Sequence, residues 1–513
     1  MPKMESYAKR FVKGSAIVFI ALIASGFVGF LLRIFLARTL SVAEYGLFYA
    51  AFALISIFGM FRDLGLGQAL VKHIPEFTVR RQFDKVKSSV AILVLLQALL
   101  VFPITAALFL FSNQIAISVF GTESASQVIK ILSIWFFTMI SFYTFQPIFQ
   151  GFQNMPMYAS MEFFNIFFVL LFAILFLSVW GLGLRGVAFA YLASSLALAI
   201  LGSIIFLKKY FHVFKEKAQI TRALMTKLLK FALPVFLSGL GIFILVYTDT
   251  IMITLFRTLE KVGFYQAAQP AAHILWYFPM ALTIVLFPMV SELWAKRERK
   301  LLSQTLHFLI KFSFVLIIPA ALIFIAFPEI VLRLLFGPEY LAGSTALQIL
   351  AGAMVITTLH VILSNTVAGI GKPIVATKVV ALMACLNVIM NLLLIPPYGI
   401  EGAAAATFAS TLIGFFLMLY SALKLVRFSL PSVPLLKTIG GGLLALLLIF
   451  GLKYIIVLPP WLELFVVVIP SLFFYAVWVL VTKTLTVDDL ELVKEAAPPL
   501  KGFVDVAKRL ARS

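Results

Sequence analysis

The segment GAAAATFASTLIGFFLMLYSAL, residues 402–423, contains no Asp, Glu, Lys or Arg. A helix rises about 1.5 Å per residue and the bilayer core is about 30 Å thick, so roughly 20 apolar residues span it. Residues 186–207 form a second uncharged run. Both runs are apolar on every face and much longer than the roughly 10-residue alternating strands of a membrane β-barrel. They predict transmembrane helices.

The rest of the chain has the same character. Its 513 residues are 63% hydrophobic and 12% charged, with a mean hydropathy of +1.09. Soluble domains are about 45–50% apolar and about 25% charged. This contrast excludes soluble, disordered and disulfide-rich proteins, and the single cysteine, Cys385, cannot form an internal disulfide. We predict an all-α polytopic membrane protein with about 14 spans, at 15–37, 43–70, 88–112, 126–150, 157–179, 184–207, 231–256, 262–291, 305–327, 343–370, 374–396, 401–423, 435–457 and 462–483.

The basic residues predict the orientation. An even number of spans places both termini on one side, and 31 of the 41 Lys and Arg fall in segments on that side, against six on the other. Basic loops stay in the cytoplasm. Both termini are therefore predicted to be cytoplasmic, in a plasma or inner membrane. Orientation and contact with anionic lipids account for most of the formal charge of +20, so no nucleic acid partner is expected.

Short motifs recur in order at a nearly constant offset. Arg38-Thr-Leu and Arg257-Thr-Leu form one pair. The other recurring motifs begin at Gly46 and Gly263, Gly151 and Gly369, and Gly186 and Gly402. A repeat of six spans preserves orientation, which predicts two parallel six-helix bundles related by a pseudo-twofold axis along the membrane normal.

The predicted organisation follows from this repeat. It has an N-terminal bundle (1–207), a basic cytoplasmic linker (208–230), a C-terminal bundle (231–423), transmembrane helices 13 and 14 (424–483) and a cytoplasmic amphipathic tail (484–513). Within the tail, Thr486-Val-Asp-Asp489 resembles a capping box with Asp in place of Glu.

Ionisable side chains inside spans are the first functional candidates, because each costs about 2.5 kcal/mol or more at the bilayer centre. We expect Arg33 of span 1 to face a cavity. Arg62 and Asp63 are adjacent in span 2 and point in different directions, so Asp63 either pairs with a neighbouring helix or forms a structural clamp. Three basic residues lie near the outer ends of their spans: Lys130, Arg38 and Arg257. Each is either an interfacial anchor or, together with Arg33, part of a cationic vestibule suited to phosphate.

Spans 7 and 8 carry a second group of polar residues. Asp249 is the only charge between residues 231 and 256, and the repeat offset places it level with Arg33. Gln266, Gln269 and His273 share one helix face, and three prolines in the same span favour a break. We predict Gln266 and Gln269 to contact substrate, and Asp249, His273 or Asp63 to bind a coupling cation or proton.

The stretches RTLSVAEYG (residues 38–46) and FRDLGLGQALV (residues 61–71) resemble the opening spans of polysaccharide transporters. These are the Wzx-type lipid-linked oligosaccharide flippases of the multidrug/oligosaccharidyl-lipid/polysaccharide exporter superfamily. The resemblance implies a V-shaped, two-bundle fold and alternating access. It also implies transfer of a polyprenyl- or dolichyl-linked oligosaccharide from the cytoplasmic to the outer leaflet, for surface polysaccharide or glycan synthesis. In such a cationic cavity, Arg33 and Arg62 would contact phosphate or acidic sugars.

The resemblance leaves coupling to H+ or Na+ open. We expect a monomer, because the two repeated halves already close a cavity between them, and we expect no enzymatic activity and no cofactor. Two other members of the superfamily stay open as alternatives, a cation-coupled multidrug antiporter and a lipid II flippase. In an antiporter, carboxylates rather than arginines would dominate the substrate site. A membrane glycosyltransferase is disfavoured, because the outer loops are short and none of the catalytic motifs HExxH, P-loop or GxSxG occurs.

Overall fold

A computed structural model of the chain describes residues 2–455 and 458–496, and all regular structure in these ranges is helical. The first ten helices are α1 (Pro2–Thr39), α2 (Val42–Ile57), α3 (Leu66–Val79), α4 (Phe83–Leu110), α5 (Ser112–Phe120), α6 (Ser124–Thr138), α7 (Ile140–Gly151), α8 (Met155–Ile174), α9 (Gly183–Lys215) and α10 (Arg222–Phe256). The others are α11 (Leu259–His273), α12 (Tyr277–Ala295), α13 (Arg299–Ala326), α14 (Pro328–Leu335), α15 (Ser344–Gly369), α16 (Pro373–Val426), α17 (Ser432–Ile455), α18 (Pro460–Val481) and α19 (Val487–Ala496). Short 3-10 segments lie at Phe58–Phe61, Ile274–Trp276 and Pro338–Gly343, and a π-helical turn at Leu175–Val179.

The chain divides into two compact units, with the boundary between Gln266 and Ala267. Within the described ranges, 11 helices are long and apolar enough to cross a membrane. The predicted all-helical membrane protein is confirmed. The unit boundary lies inside α11, one helix beyond the predicted linker, and the five predicted domains stay a prediction.

Side-chain caps start several helices. Ser41 and Glu44 form a capping box at the start of α2, with the Ser41 amide donating to Glu44 Oε2 at 3.0 Å. The capping box predicted before α19 is also present, because the Thr486 amide donates to Asp489 Oδ2 at 2.7 Å and the Asp489 amide donates to Thr486 Oγ1 at 3.3 Å. Of the predicted tail, residues 497–513 lie outside the described residues.

Span 2, predicted over 43–70, is not one continuous helix. α2 ends at Ile57, and a 3-10 turn and a bend separate it from α3. Gly65 adopts a left-handed φ of 80°, and the Ala232 carbonyl of α10 approaches it so closely that a Cβ would overlap that oxygen. A residue with a Cβ suits neither the left-handed φ nor the close carbonyl. Glycine suits both, and the helix breaks at this position.

Two other helix breaks lie where the sequence predicted them, in span 8 and between the spans 374–396 and 401–423. Span 8 is interrupted by the 3-10 turn Ile274–Trp276, between α11 and α12. In α16, Gly399 has a φ of 62° and separates two helical segments. Asn387 donates to Thr407 Oγ1, which lies beyond that break, at 3.3 Å.

Candidate functional site

Arg33 is a half-buried side chain of the first unit, and its direct contacts in the described residues are with neutral groups. Its Nη1 donates to Gln266 Oε1 at 3.1 Å and to the Gln266 carbonyl at 3.4 Å. The guanidinium carbon lies 4.3 Å from the ring centroid of Tyr49, and the Tyr45 hydroxyl donates to the same Gln266 carbonyl at 3.2 Å. Tyr191 is the third tyrosine of this shell. Cation–π contact with buried rings stabilises such a charge by up to about 2 kcal/mol.

Asp249 binds the residue next to Gln266. Tyr265 donates to Asp249 Oδ2 at 2.6 Å, and the next residue, Gln266, donates to Thr250 Oγ1 at 2.5 Å. Adjacent residues of α11 thus bind Asp249 and Arg33. The carboxylate is 1% exposed, so its charge depends on these polar neighbours.

Arg62 is the second interior arginine, and it is 6% exposed. Its guanidinium carbon lies 3.9 Å from the ring centroid of Tyr143 and 5.0 Å from that of Phe136. Its Nε has no hydrogen-bond partner within the described residues. Tyr247 of α10 is within electrostatic range of both Arg62 and Arg33, so the two arginines belong to one polar interior.

Sequence reasoning missed Glu162, the one acidic residue of α8. Its Oε2 accepts a hydrogen bond from Gln146 Nε2 of α7 at 2.9 Å. A single carboxylate in an otherwise uncharged span was a visible signal, but it lies near the predicted cytoplasmic end, where charges are common. The tyrosines around Arg33 gave no signal of their own, because aromatic residues are frequent throughout the chain.

The conformation of Asp63 explains its local role. Its two carboxylate oxygens accept from the amides of Gly65 and Gly67, each at 3.0 Å. These bonds satisfy amides at the start of α3 that the broken helix leaves without intrahelical partners. Asp63 therefore holds the bend of span 2.

The remaining predicted site residues are Arg38, Arg257, Lys130, Gln269 and His273. Arg38 is in the last turn of α1, and Arg257 follows the last residue of α10; both positions favour a cation electrostatically. Lys130 lies half-buried in α6. On α11, Gln269 is half-buried and His273 is exposed at the last residue.

Two glycines of the internal repeat meet each other in the first unit. A Cβ at Gly46 would overlap the Leu259 carbonyl oxygen, and one at Gly263 would overlap the Val42 carbonyl oxygen. The first turns of α2 and α11 therefore approach at backbone distance. Within the described residues, no group of three or more His, Cys, Asp and Glu side chains could hold a metal ion.

Comparison with known proteins extends these observations. The family described as "Polysaccharide biosynthesis protein" matches residues 11–294, and the MatE family matches residues 234–393. The uncharacterized membrane protein MJ1068 of Methanocaldococcus jannaschii is 32% identical over 427 residues, which cover 80% of this chain and 83% of that protein. The probable low-salt glycan biosynthesis flippase Agl15 of Haloferax volcanii is 27% identical over 229 residues, 45% of this chain and 48% of that protein.

Among solved structures, the lipid II flippase MurJ in an inward closed conformation has a TM-score of 0.73 to this chain. The two sequences are 16% identical, and the alignment covers 90% of this chain and 98% of that one. This similarity shows a common fold. The family match covers more than half of the chain, so the protein belongs to the polysaccharide biosynthesis protein family, within the multidrug/oligosaccharidyl-lipid/polysaccharide exporter superfamily that the sequence motifs predicted.

Proposed function

We propose that this protein is a flippase that moves a polyprenyl- or dolichyl-linked oligosaccharide from the cytoplasmic to the outer leaflet. The translocated glycan would serve surface polysaccharide or glycan synthesis. Relatives with flippase names support the class of activity. The assignment of a phosphate-linked lipid rests on the interior of the first unit.

The observation that carries the proposal is the pair of guanidinium groups without acidic partners. Neither Arg33 nor Arg62 has a carboxylate within ion-pair distance in the described part of the chain. A buried charge is normally paired, since desolvation is costly. An interior that leaves two positive charges uncancelled suits a mobile anion, and a guanidinium binds phosphate oxygens through parallel hydrogen bonds.

In the proposed mechanism, the headgroup enters the protein while the lipid tail stays in the membrane. Arg62 lies toward the predicted cytoplasmic end of span 2 and would meet the phosphate first. Arg33 would hold it farther along, with Gln266 as a neutral partner that can exchange its bond for a phosphate oxygen. Closure of the cytoplasmic side and opening of the outer side would complete the transfer.

The remaining predicted residues keep subsidiary roles in this proposal. Gln269 would contact the glycan, and Lys130, Arg38 and Arg257 would attract the anionic headgroup to the outer side. Asp249 is the strongest of the three coupling candidates, because it is buried next to the Arg33 cluster. His273 and Asp63 are the other two, for H+ or Na+.

The proposal includes 14 spans in two six-helix bundles plus two helices, in a plasma or inner membrane. Three features support a count of 14 spans rather than the 11 helices that are each long and apolar enough to cross a membrane. α16 has 54 residues and is divided at Gly399. α11 and α12 together form one interrupted span, and α18 runs from Pro460 to Val481. Cytoplasmic termini, contact with anionic lipids and a monomeric state belong to the same proposal.

Transbilayer movement in proteoliposomes tests this function. A fluorescent polyprenyl-diphosphate oligosaccharide is reconstituted with the wild type, Arg33→Ala, Arg62→Ala and Arg333→Gln, the last being a control at an exposed arginine of α14. Loss of a charged hydrogen bond costs about 1.5–3 kcal/mol, so each interior variant should be roughly 10- to 100-fold slower. The control should match the wild type. Interior variants that flip the lipid at the wild-type rate would contradict the phosphate role.

The second candidate is a cation-coupled multidrug antiporter, which the MatE match over residues 234–393 favours. Two uncancelled arginine charges would repel a cationic drug, whereas they attract phosphate. Efflux of a cationic dye without movement of any lipid-linked sugar would favour the antiporter. Movement of lipid II alone would favour the lipid II flippase.

A further inference from the structure

A shallow recess at the start of α10 carries positive charge that the mechanism above does not use. It is open to solvent, has a volume of about 580 Å³ and is lined by Arg222, Ala223, Thr226, Lys227 and Lys230. Residues four apart lie on one face of a helix, so Arg222, Thr226 and Lys230 form a line along α10. This surface, the α10 recess, therefore presents three cations and one hydroxyl together.

Most of the charge in the α10 recess is not balanced by acidic side chains. Arg222 and Lys230 are exposed and form no ion pair within the described ranges. Lys227 is the exception, because its Nζ lies 3.1 Å from Glu76 Oε2 of α3. Phosphate groups suit this set of cations, since a guanidinium binds them through parallel hydrogen bonds and an ammonium group binds them as a point charge.

The contact between Lys227 and Glu76 joins the end of α3 to the start of α10. Two cation–π contacts support it. Lys227 Nζ lies 4.9 Å from the ring centroid of Phe77 on α3, and Lys72 Nζ of α3 lies 4.1 Å from that of Phe231 on α10. The α10 recess thus shares one of its three cations with the contact that holds these two helices together.

Glu76 can exchange Lys227 for other partners at small cost. His73 Nδ1 lies 2.9 Å from Glu76 Oε2, and Arg80 Nη1 lies 3.5 Å from Glu76 Oε1. Glu76 therefore keeps two basic neighbours when Lys227 leaves. The side chains of Lys227 and Glu76 are 41% and 31% exposed, and ion pairs in contact with water are weak. An anion with several charges is suited to replace Glu76 at Lys227.

The position of the α10 recess matches the phosphate groups of a lipid-linked sugar. Lys230 directly precedes predicted span 7, residues 231–256, on the predicted cytoplasmic side. Phosphates attached to a lipid tail lie at this level, because the tail stays in the bilayer. An anionic phospholipid lies at the same level, but it brings one phosphate, whereas a diphosphate brings two and engages more of the three cations at once.

We propose that the α10 recess is a docking site for the diphosphate of the lipid-linked substrate, and that the bound diphosphate displaces Glu76 from Lys227. This inference rests on the proposed function, because it takes a diphosphate-linked lipid as the substrate. No covalent bond forms or breaks, since Lys227 exchanges a carboxylate oxygen for a phosphate oxygen. The exchange loosens the contact between α3 and α10 before the headgroup enters the protein and reaches Arg62.

The test measures binding of inorganic pyrophosphate to the full-length protein in detergent by calorimetric titration. An Arg33→Ala/Arg62→Ala parent lacks the proposed interior anion site, so that binding at the recess is measured alone. In this parent, Arg222→Gln and Lys230→Gln should each weaken pyrophosphate binding about three- to tenfold. The control Lys300→Gln changes an exposed lysine at the start of α13 and should leave the affinity unchanged.

A second pair of variants tests the competition between phosphate and Glu76. Glu76→Gln removes the charge that competes for Lys227, so pyrophosphate should bind about two- to fivefold more tightly. Glu76→Asp keeps that charge and should bind with the affinity of the parent. A purely structural role for Glu76 would leave the affinity of Glu76→Gln unchanged or weaken it.

Equal pyrophosphate affinity in the parent and the recess variants would overturn the inference, as would absence of binding by the folded parent. Recess variants that bind less phosphatidylglycerol but the same pyrophosphate would show a site for bilayer lipids, which also refutes diphosphate docking. The lipid transfer assay separates these failures from failure of the proposed function. With the interior arginines intact, recess variants should need more lipid-linked oligosaccharide for half-maximal transfer. If the wild type moves the lipid and the recess variants show the same concentration dependence, the flippase stands and the docking site does not.

Discussion

The ion pair between Lys311 and Asp489 should hold helix α19 against α13. Lys311 Nζ lies 2.5 Å from Asp489 Oδ2, and the two side chains are 7% and 10% exposed. The same oxygen accepts from the amide and the hydroxyl of Thr486, each at 2.7 Å. The pair therefore joins a membrane-spanning helix to the capping box of α19.

Removal of one partner should be much more costly than removal of both. Lys311→Met leaves the Asp489 carboxylate buried without a cation, which costs about 3–5 kcal/mol. In the double variant Lys311→Met/Asp489→Asn, both charges are absent and the asparagine oxygen can still accept from Thr486. The two substitutions should therefore be coupled by about 1–3 kcal/mol, in the direction that makes the double variant better than the sum.

Hydrogen exchange of the amides in α19 measures this effect, since it reports the free energy of local opening. Protection of α19 should fall strongly in Lys311→Met and recover partly in the double variant. Additive losses, or wild-type protection in the single variant, would refute the role of the ion pair.

The pH dependence of the same protection provides an independent check. Burial alone would raise the pKa of Asp489, but hydrogen bonds from Lys311 and Thr486 outweigh it and hold that pKa below its ordinary value. A lowered folded-state pKa gives stability that is present above the unfolded-state value and lost as the pH falls through the folded-state value. Protection should be constant from pH 7 to about pH 4 and should fall below that.

Two further predictions concern packing and the C-terminal end of α3. Gly46→Ala should destabilise the protein by about 1–3 kcal/mol, because its Cβ would overlap a backbone carbonyl of α11; in thermal unfolding, Gly29→Ala is the matched control, with a nearest contact of 3.5 Å. Equal melting temperatures for the two variants would contradict this close approach. Hydrogen bonds from His73 and Lys227 lower the pKa of Glu76 to about 2. Glu76→Gln should therefore melt below the wild type at neutral pH, with the difference shrinking from about pH 4.5 downward; a difference that grows at low pH would contradict the assignment.

Features with local chemical causes could be predicted from the sequence. Span positions follow from apolar length, and the Thr486–Asp489 capping box follows from four residues. The break in span 2 depends on the close approach of the Ala232 carbonyl to Gly65. This is a contact between distant residues, which local patterning cannot reveal. The same is true of Lys311, whose partner lies 178 positions away.

For the site, the sequence identified the charges but not most of their partners. Arg33, Arg62 and Asp249 stand out because ionisable groups are rare in apolar spans. Their neighbours are tyrosines, a phenylalanine and amides, which are unremarkable in the sequence. The repeat offset predicts Asp249 to be level with Arg33, and in the structure the two side chains bind adjacent residues of α11, Tyr265 and Gln266.

The pattern of partners in the first unit supports transport of an anion. Asp63 is satisfied by backbone amides, Asp249 accepts from Tyr265, and Glu162 accepts from Gln146. The interior therefore contains both signs of charge, and yet neither Arg33 nor Arg62 has an acidic partner within the described residues. A direct ion pair would compensate the arginines permanently, and phosphate would then have to displace a carboxylate. Neutral amides and aromatic rings lower the cost of burying the cation while leaving its charge available, which is the electrostatic condition that reversible binding of a diphosphate requires.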